Sequence, residues 1–232
     1  MKKQLSLALA VAISCSPLGV AFAQSANSTM KAVVLNEYGG PEVLKYQDAP
    51  RPEPKDDDIL VRVIAAAVNP VDSYVRQGMF AKRGLDNRPA IIGYDIAGVV
   101  EKTGANAKKF KAGDKVYSYL SVMRGGGYAE FAIAKESETA LKPTNINFVE
   151  AAAVPLAATT AWQALVDTAK INKGQTVLIH GGSGGVGSFA IPIAKARARK
   201  SSRLRQRRIR ICSSNSESIK RSITRRQNSK ML

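Results

Sequence analysis

The chain has few of the residues that build metal centres and disulfide frameworks. Its 232 residues include two cysteines and one histidine. Cys15 and Cys212 are too few to form a framework of several disulfides. A tetrahedral zinc site of cysteine and histidine needs three or four ligands, and these three residues lie far apart in the sequence. The composition therefore predicts a protein with no metal site.

Acidic residues are nearly absent from the last part of the chain. Residues 195–232 hold 14 of the 35 Lys and Arg residues but only one of the 18 acidic residues, Glu217. Most of the formal charge of +17 therefore belongs to this tail. The tail shows neither helical nor strand periodicity, and no aromatic residue lies among its arginines. Three interpretations stay open: an anion-binding arm for nucleic acid or membrane, a disordered extension, and an out-of-frame translation.

Long apolar runs are also absent, apart from a short one near the start. Lys2 and Lys3 precede an apolar run over residues 5–13, and small residues follow at Ala21 and Ala23. This pattern is typical of a secretory signal peptide and is too short for a membrane span. We predict a signal peptide over residues 1–23 and an exported, periplasmic protein. The alternative is translation from Met30 and a cytoplasmic location.

Short strands separated by glycine turns dominate residues 30–147. Residues 30–36, 59–68 and 91–100 are apolar or β-branched, and residues 128–134 alternate as a half-buried strand does. Turns are predicted at residues 113–115 and 125–127 because of their glycines. This pattern predicts a small domain resembling a β-barrel.

The pattern changes after residue 147. Residues 148–167 are rich in alanine and predict helix with a break at Pro155. Residues 175–180 (QTVLIH) predict a strand, and residues 188–196 predict a helix. A strand, a glycine loop and a helix in this order form the opening of an α/β domain, which we place at residues 148–197.

The glycine loop between that strand and helix matches G-x-G-x-x-G. In such a loop one glycine permits a tight turn, the next lets a pyrophosphate approach the backbone, and the last lets helix and strand pack closely. We assign these roles to Gly182, Gly184 and Gly187. The helix N-terminus would offer free N–H groups to the phosphates. The candidate cofactor-binding residues are Gly182, Ser183, Gly184, Gly185, Val186 and Gly187; the alternative is a purely structural turn.

His180 ends the predicted strand immediately before the loop. A histidine at this place could touch substrate or cofactor. We predict instead a core residue whose ring nitrogen is satisfied by a hydrogen bond.

Five segments, in order, resemble the medium-chain dehydrogenase/reductase superfamily. They read IIGYDIAGVVEKTG, GDKVYSY, GGYAEFAIA, AAAVPLAATTAWQAL and VLIHGGSGGVG. The resemblance covers Met30 to about Arg197 and is strongest to the zinc-independent quinone oxidoreductase (zeta-crystallin-like) branch, which includes enoyl reductases. It implies a GroES-like β-barrel domain followed by an incomplete Rossmann domain. It also implies NADPH as cofactor, a quinone or enone as substrate and, in a full-length form, a possible homodimer.

The resemblance further implies roles for individual residues. Zinc-dependent relatives place a His-Glu pair where this chain has Gly93-Tyr94-Asp95, so zinc is not expected. Thr160 would lie near the phosphate or nicotinamide, and Asn69 would face the nicotinamide. Asp72 and Tyr74 would shape the substrate mouth. Asn69 and Asp72 have an alternative role as helix caps, and Tyr74 as a core residue.

Phe80 stands where many relatives carry tyrosine. Phenylalanine has no hydroxyl to donate to a developing enolate. The expected chemistry therefore rests on alignment of nicotinamide and acceptor, with water as the proton source.

The tail departs from the resemblance after Arg197, where a second Rossmann strand is expected. With permitted synonymous codons, restoring one base near Arg197 yields an open frame that spells a strand, an amphipathic helix and a second strand. We therefore interpret residues 198–232 as a basic tail read out of frame and expect no specific nucleic-acid partner. Because residues for the adenosine ribose and 2′-phosphate would then be missing, weak NADPH binding and impaired activity are expected, and an inactive remnant stays an alternative.

Overall fold

The computed structural model describes residues 29–81, 86, 88–198 and 210–211. The predicted signal peptide and most of the basic tail lie outside these residues. Within the described part of the chain, no helix is long and apolar enough to cross a membrane.

A three-stranded antiparallel sheet opens the structure. It has the order β2-β1-β4, formed by β1 (Thr29–Leu35), β2 (Leu44–Pro50) and β4 (Ala90–Ile91). A single 3₁₀ turn (Pro41–Val43) joins β1 to β2. The strand predicted over residues 30–36 is present as β1, most of whose alternate side chains are buried, and Ala32 and Val34 pack against Ala49 of β2.

A second, five-stranded antiparallel sheet holds the main core. Its order is β7-β3-β5-β6-β8, formed by β3 (Asp58–Ala67), β5 (Asp95–Thr103), β6 (Lys115–Tyr119), β7 (Phe131–Lys135) and β8 (Thr139–Leu141). Its core cluster consists of branched aliphatic residues and alanine, among them Ile59, Val61, Ile96 and Val116. The backbone N–H of Val33 in β1 donates to the Tyr128 carbonyl (2.8 Å), which joins the two sheets beside β7. Short strands that curl into two joined sheets agree with the predicted barrel-like domain.

Three helices follow strands of the five-stranded sheet. Helix α1 (Pro70–Arg76) follows β3, while α2 (Phe148–Ala152) and α3 (Pro155–Trp162) follow β8. Pro155 separates α2 from α3, as predicted, and a π-helical turn (Gln163–Thr168) continues α3. Ala151 and Ala152 of α2 pack on Ala97 of β5, so α2 joins the barrel-like unit to the α/β unit.

The α/β unit consists of β9 (Leu178–Ile179), α4 (Gly185–Ala198) and β10 (Arg210–Ile211), with β10 parallel to β9. The prediction of a strand over residues 175–180 is wrong for most of that length. Its described partner is only two residues long, so only two residues of β9 find ladder hydrogen bonds. Helix α4 begins inside the glycine loop, earlier than the predicted residue 188. The two residues of β10 belong to the basic tail and occupy the edge beside β9.

Candidate active site

The first turn of α1 carries two of the three candidate catalytic residues. Asn69 is its N-cap and Pro70 its first helical residue, where a missing N–H costs least. The Asp72 carboxylate accepts a hydrogen bond from the Asn69 backbone N–H (2.5 Å), and the two residues form a capping box. Both residues therefore have the helix-cap arrangement that the sequence left open beside the catalytic one. Their proposed contacts with nicotinamide and substrate stay predictions.

Asp72 is itself buried, at 4% exposure, beneath the Gly93–Tyr94 segment. Burial raises the pKa of its carboxyl group, against the opposing hydrogen bond from Asn69. Its Oδ1 atom and the Tyr128 hydroxyl are both buried, and neither has a hydrogen-bond partner among the described residues. Gly93 has φ +96°, and a Cβ there would lie 2.6 Å from the Tyr128 ring. Only glycine fits this close approach.

Asp95 was not a candidate in the sequence, yet it lies at the centre of the site. It is 1% exposed, and each carboxylate oxygen accepts one hydrogen bond. The donors are Asn69 Nδ2 to Oδ2 (2.9 Å) and the Leu156 backbone N–H to Oδ1 (2.9 Å). Burial raises the pKa of Asp95 to about 6 despite these two donors. The available clue was an acidic residue inside the apolar run IIGYDIAGVV.

Tyr74 lies on α1, and Phe80 lies in the turn that follows this helix. Tyr74 is 44% exposed, which argues against the alternative that it is a core residue. Phe80 lines a pocket with Val75, Tyr94 and Met123. The ring of Tyr38 also lines it and is held between Gly78 and the guanidinium group of Arg88. This pocket opens beside the helix that carries Asn69 and Asp72.

Helix α3 carries the candidate Thr160 and, one turn earlier, a backbone contact with Asp95. Leu156 in its first turn is the residue that Asp95 holds, and Thr160 lies one turn later on the exposed surface. The Thr160 hydroxyl donates to the Leu156 carbonyl (2.7 Å), which leaves its lone pairs as acceptors. A Cβ built on Gly185 would lie 4.0 Å from the Ala157 Cβ, so the glycine loop packs against the same turn of α3.

The glycine loop has the close backbone packing that its spacing predicted. A Cβ on Gly187 would lie 2.2 Å from the Gly181 carbonyl oxygen, and one on Gly184 3.3 Å from it. The Gly184 N–H donates to that same carbonyl (2.9 Å). Ser183, Gly184, Gly185 and Val186 are exposed, while Gly182 and Gly187 are buried. Because helix α4 starts here, its first N–H groups have no acceptor within the helix.

Two details of this loop differ from the sequence prediction. The left-handed turn is at Gly181 (φ +64°), one residue before Gly182, to which it was assigned. The prediction that His180 is a core residue is wrong, because its side chain is exposed. The reason is that β9 ends at Ile179, so His180 already belongs to the turn.

No group of three or more His, Cys, Asp or Glu side chains placed to hold a metal ion occurs within the ranges that the structure describes. The site contains two buried carboxylates, Asp72 and Asp95, and the N-terminus of α4 is its candidate anion-binding element. Asp72 and Asp95 are linked through Asn69, and α3 links Asp95 to the loop.

Several known proteins resemble this chain in sequence. Residues 55–144 match the alcohol dehydrogenase GroES-like domain family. A quinone oxidoreductase of Pongo abelii is 44% identical over 168 residues, which are 72% of this chain and 50% of that protein. An NADPH-dependent alkenal/one oxidoreductase of Arabidopsis thaliana chloroplasts is 41% identical over 201 residues, covering 84% and 52%.

A mycobacterial protein solved in complex with NADPH shares the fold with a TM-score of 0.68 at 32% identity. The match covers 84% of this chain and 55% of that one. The chain thus spans about half the length of the curated relatives it matches. The predicted fold class is confirmed: a GroES-like domain is followed by part of a Rossmann-type domain. Residues 55–144 thus match the alcohol dehydrogenase GroES-like domain family, and the chain is similar to quinone oxidoreductases and alkenal/one oxidoreductases, with structural neighbours of the medium-chain dehydrogenase/reductase fold.

Proposed function

We propose that this chain is part of an NADPH-dependent, zinc-independent oxidoreductase that reduces a quinone or an activated alkene. The observation that carries the proposal is the loop at Gly184–Gly187, where a tight backbone meets the free N-terminus of α4. The quinone oxidoreductase and alkenal/one reductase relatives support the substrate class. The relative solved with NADPH supports the cofactor.

The loop residues fit a pyrophosphate. Ser183 to Val186 are exposed, and Gly184 and Gly185 present no Cβ that would hold a phosphate away from the backbone. The unpaired N–H groups and the positive dipole end of the 14-residue helix α4 favour an anion at this point. The Thr160 hydroxyl, on the helix that packs on the loop, can accept a hydrogen bond from a neighbouring ligand group.

When bound, NADPH supplies the hydride for the reduction. The chain's own contribution is to bind and orient. The loop would hold the pyrophosphate, and Asn69, fixed by Asp72 and Asp95, would face the nicotinamide end. Phe80, which lines the pocket beside α1, would border the acceptor, and Tyr74 on the exposed surface of α1 would shape its entrance. Because Phe80 has no hydroxyl, we assign the proton that completes reduction to solvent water.

The absence of zinc from this proposal rests on donor chemistry. Gly93-Tyr94-Asp95 stands where zinc-dependent relatives carry a His-Glu pair. Gly93 has no side-chain donor, and the carboxylate of Asp95 is occupied by two N–H donors. These two residues therefore do not supply the ligands that a tetrahedral metal ion needs.

The experiment is a reductase assay that follows loss of NADPH absorbance with a quinone and, separately, with an α,β-unsaturated ketone. We expect turnover of at least one acceptor that survives dialysis against a zinc chelator. NADPH binding without turnover of either class would contradict the assigned reaction. Turnover lost to the chelator and restored by zinc would contradict its zinc independence.

A further inference from the structure

We propose that Asp95 is a positioning residue that clamps the substrate-side helix α1 to the cofactor-side helix α3. One carboxylate oxygen receives the Asn69 amide at the N-cap of α1, and the other receives the Leu156 N–H in the first turn of α3. Asp95 itself begins strand β5 in the centre of the barrel-like sheet. The Asp95 side chain therefore connects strand β5 with helices α1 and α3.

The chemistry of the contact fixes its orientation. An ionised carboxylate accepts hydrogen bonds and cannot donate them, so the Asn69 amide must turn its Nδ2 group toward Asp95. The Asn69 backbone N–H is held in turn by Asp72. Asn69 is thus fixed at both its backbone and its side chain. Its amide has only one orientation while Asp95 carries its charge.

The burial of Asp95 makes the clamp strong. Because Asp95 is only 1% exposed, water cannot take its place as acceptor, so loss of the carboxylate would leave the Asn69 amide and the Leu156 N–H unsatisfied. Hydrogen bonds to a charged partner are the stronger kind. Leu156 lies next to Ala157, which packs beside Gly185, so a shift of α3 at this turn would also shift the glycine loop.

Other titratable groups surround this carboxylate. Among the described residues, charges that act on or respond to Asp95 come from Asp72 on α1, Tyr119 at the end of β6 and Tyr128 ahead of β7. The two tyrosines are neutral at and below neutral pH, with pKa values raised by burial. Asp72 is the one neighbour that could titrate near Asp95, so the test has to separate these two carboxyl groups.

The test compares Asp95→Asn and Asp95→Ala with the wild-type chain by NMR. In Asp95→Asn a flip of the Asn69 amide can restore both hydrogen bonds, whereas Asp95→Ala removes both acceptors. Asp48→Ala is the matched control, because Asp48 pairs with Lys31 on the surface. We expect hydrogen exchange at the Leu156 amide to accelerate on the order of 10-fold or more in Asp95→Ala and to stay near wild type in Asp95→Asn and Asp48→Ala.

A second readout is available in the wild-type chain, so the proposal stays testable even if Asp95→Ala does not fold. The Leu156 amide and the Asn69 side-chain amide should shift together with pH, in one titration that Asp95→Asn abolishes and Asp72→Asn preserves. Unchanged exchange at Leu156 in a folded Asp95→Ala would overturn the clamp. So would amide shifts in the wild-type chain that do not follow a common titration.

The positioning role rests on the proposed function, and a separate measurement tests it. We expect NADPH binding to weaken on the order of 10-fold in Asp95→Ala and to remain within about 3-fold of wild type in Asp95→Asn. If the wild-type chain binds no NADPH, the proposed function fails, while the exchange data still decide the clamp. If exchange at Leu156 rises and NADPH affinity does not change, the clamp exists but Asp95 is not a positioning residue.

Discussion

At Gly187 the difference between a hydrogen atom and a methyl group decides whether the loop can close. A Cβ there would lie 2.2 Å from a backbone carbonyl oxygen and within 3 Å of Gly182, and neither backbone group can move as a flexible side chain could. Gly185, two residues earlier, has its nearest neighbour at 4.0 Å. The same substitution at these two glycines should therefore give different results.

We predict that Gly187→Ala lowers the free energy of unfolding by about 2 kcal/mol or more, as overpacking does. Gly185→Ala should change it by less than about 1 kcal/mol, because alanine is a better helix former than glycine and its Cβ would make only an ordinary contact with Ala157, at 4.0 Å. Chemical denaturation of the two variants measures both values. Equal effects at the two positions would show that the loop is not packed as described.

The residues also show where sequence reasoning was limited. The glycine spacing correctly located the loop, but the left-handed turn is at Gly181, because the strand ends one residue earlier than its apolar pattern indicates. Asn69 and Asp72 were candidates because the family resemblance implied roles for them, with helix capping as the alternative. Asp95 was not, because its partners at Asn69 and Leu156 are 26 and 61 residues away in the sequence. Only the fold brings them together.

At the scale of elements, strand β5 places the charged carboxylate of Asp95 inside an apolar core. The pKa of Asp95 is about 6 in the folded protein, against an ordinary value of 3.8. Since the folded state holds this proton more tightly than the unfolded chain, stability falls as pH rises from about 4 to about 6 and is level above that. Asp72, whose pKa is also raised, contributes with the same sign.

We predict that Asp95→Asn removes this part of the pH dependence. Relative to the variant, the wild-type chain should lose on the order of 2 kcal/mol of unfolding free energy between pH 4 and pH 6. Urea denaturation of both chains at closely spaced pH values provides the comparison. Parallel stability curves through that window would mean that Asp95 titrates normally.

Elements with local patterns were the ones that sequence predicted well. Strands β3, β5 and β7 follow from apolar or alternating runs, and the break between α2 and α3 follows from Pro155. The predicted strand over residues 175–180 was too long, because the length of a parallel strand depends on its neighbour. Here that neighbour, β10, contributes only Arg210 and Ile211. The π-helical turn after Trp162 has no sequence pattern that distinguishes it from a continued α-helix.

At the scale of the whole molecule, the two ends of the chain raise questions of location and reading frame. The signal peptide predicted at residues 1–23 lies outside the described residues, and export remains our proposal. We predict that the chain expressed with its native N-terminus in a Gram-negative host is found in the periplasm and begins at Gln24. N-terminal sequencing of the purified protein checks this. A cytoplasmic protein that begins at Met30 would show that translation starts there.

The basic tail bears on how the molecule would meet NADPH. NADPH is a polyanion, so the arginines of residues 199–232 could attract it without any specific site. Binding alone therefore does not show that the glycine loop is the site. A measurement resolved by residue is required, and it remains informative even if affinity is weak.

That measurement is an NADPH titration of the isotope-labelled chain, followed by amide NMR shifts at moderate ionic strength. Our account predicts saturable shifts at Gly184, Gly185, Val186 and Gly187, with smaller ones at Thr160, that persist when salt screens the tail. Gly187→Ala should weaken them. Shifts confined to the arginine-rich tail and abolished by salt, with the glycine loop unchanged, would contradict the assignment of this loop as the cofactor site.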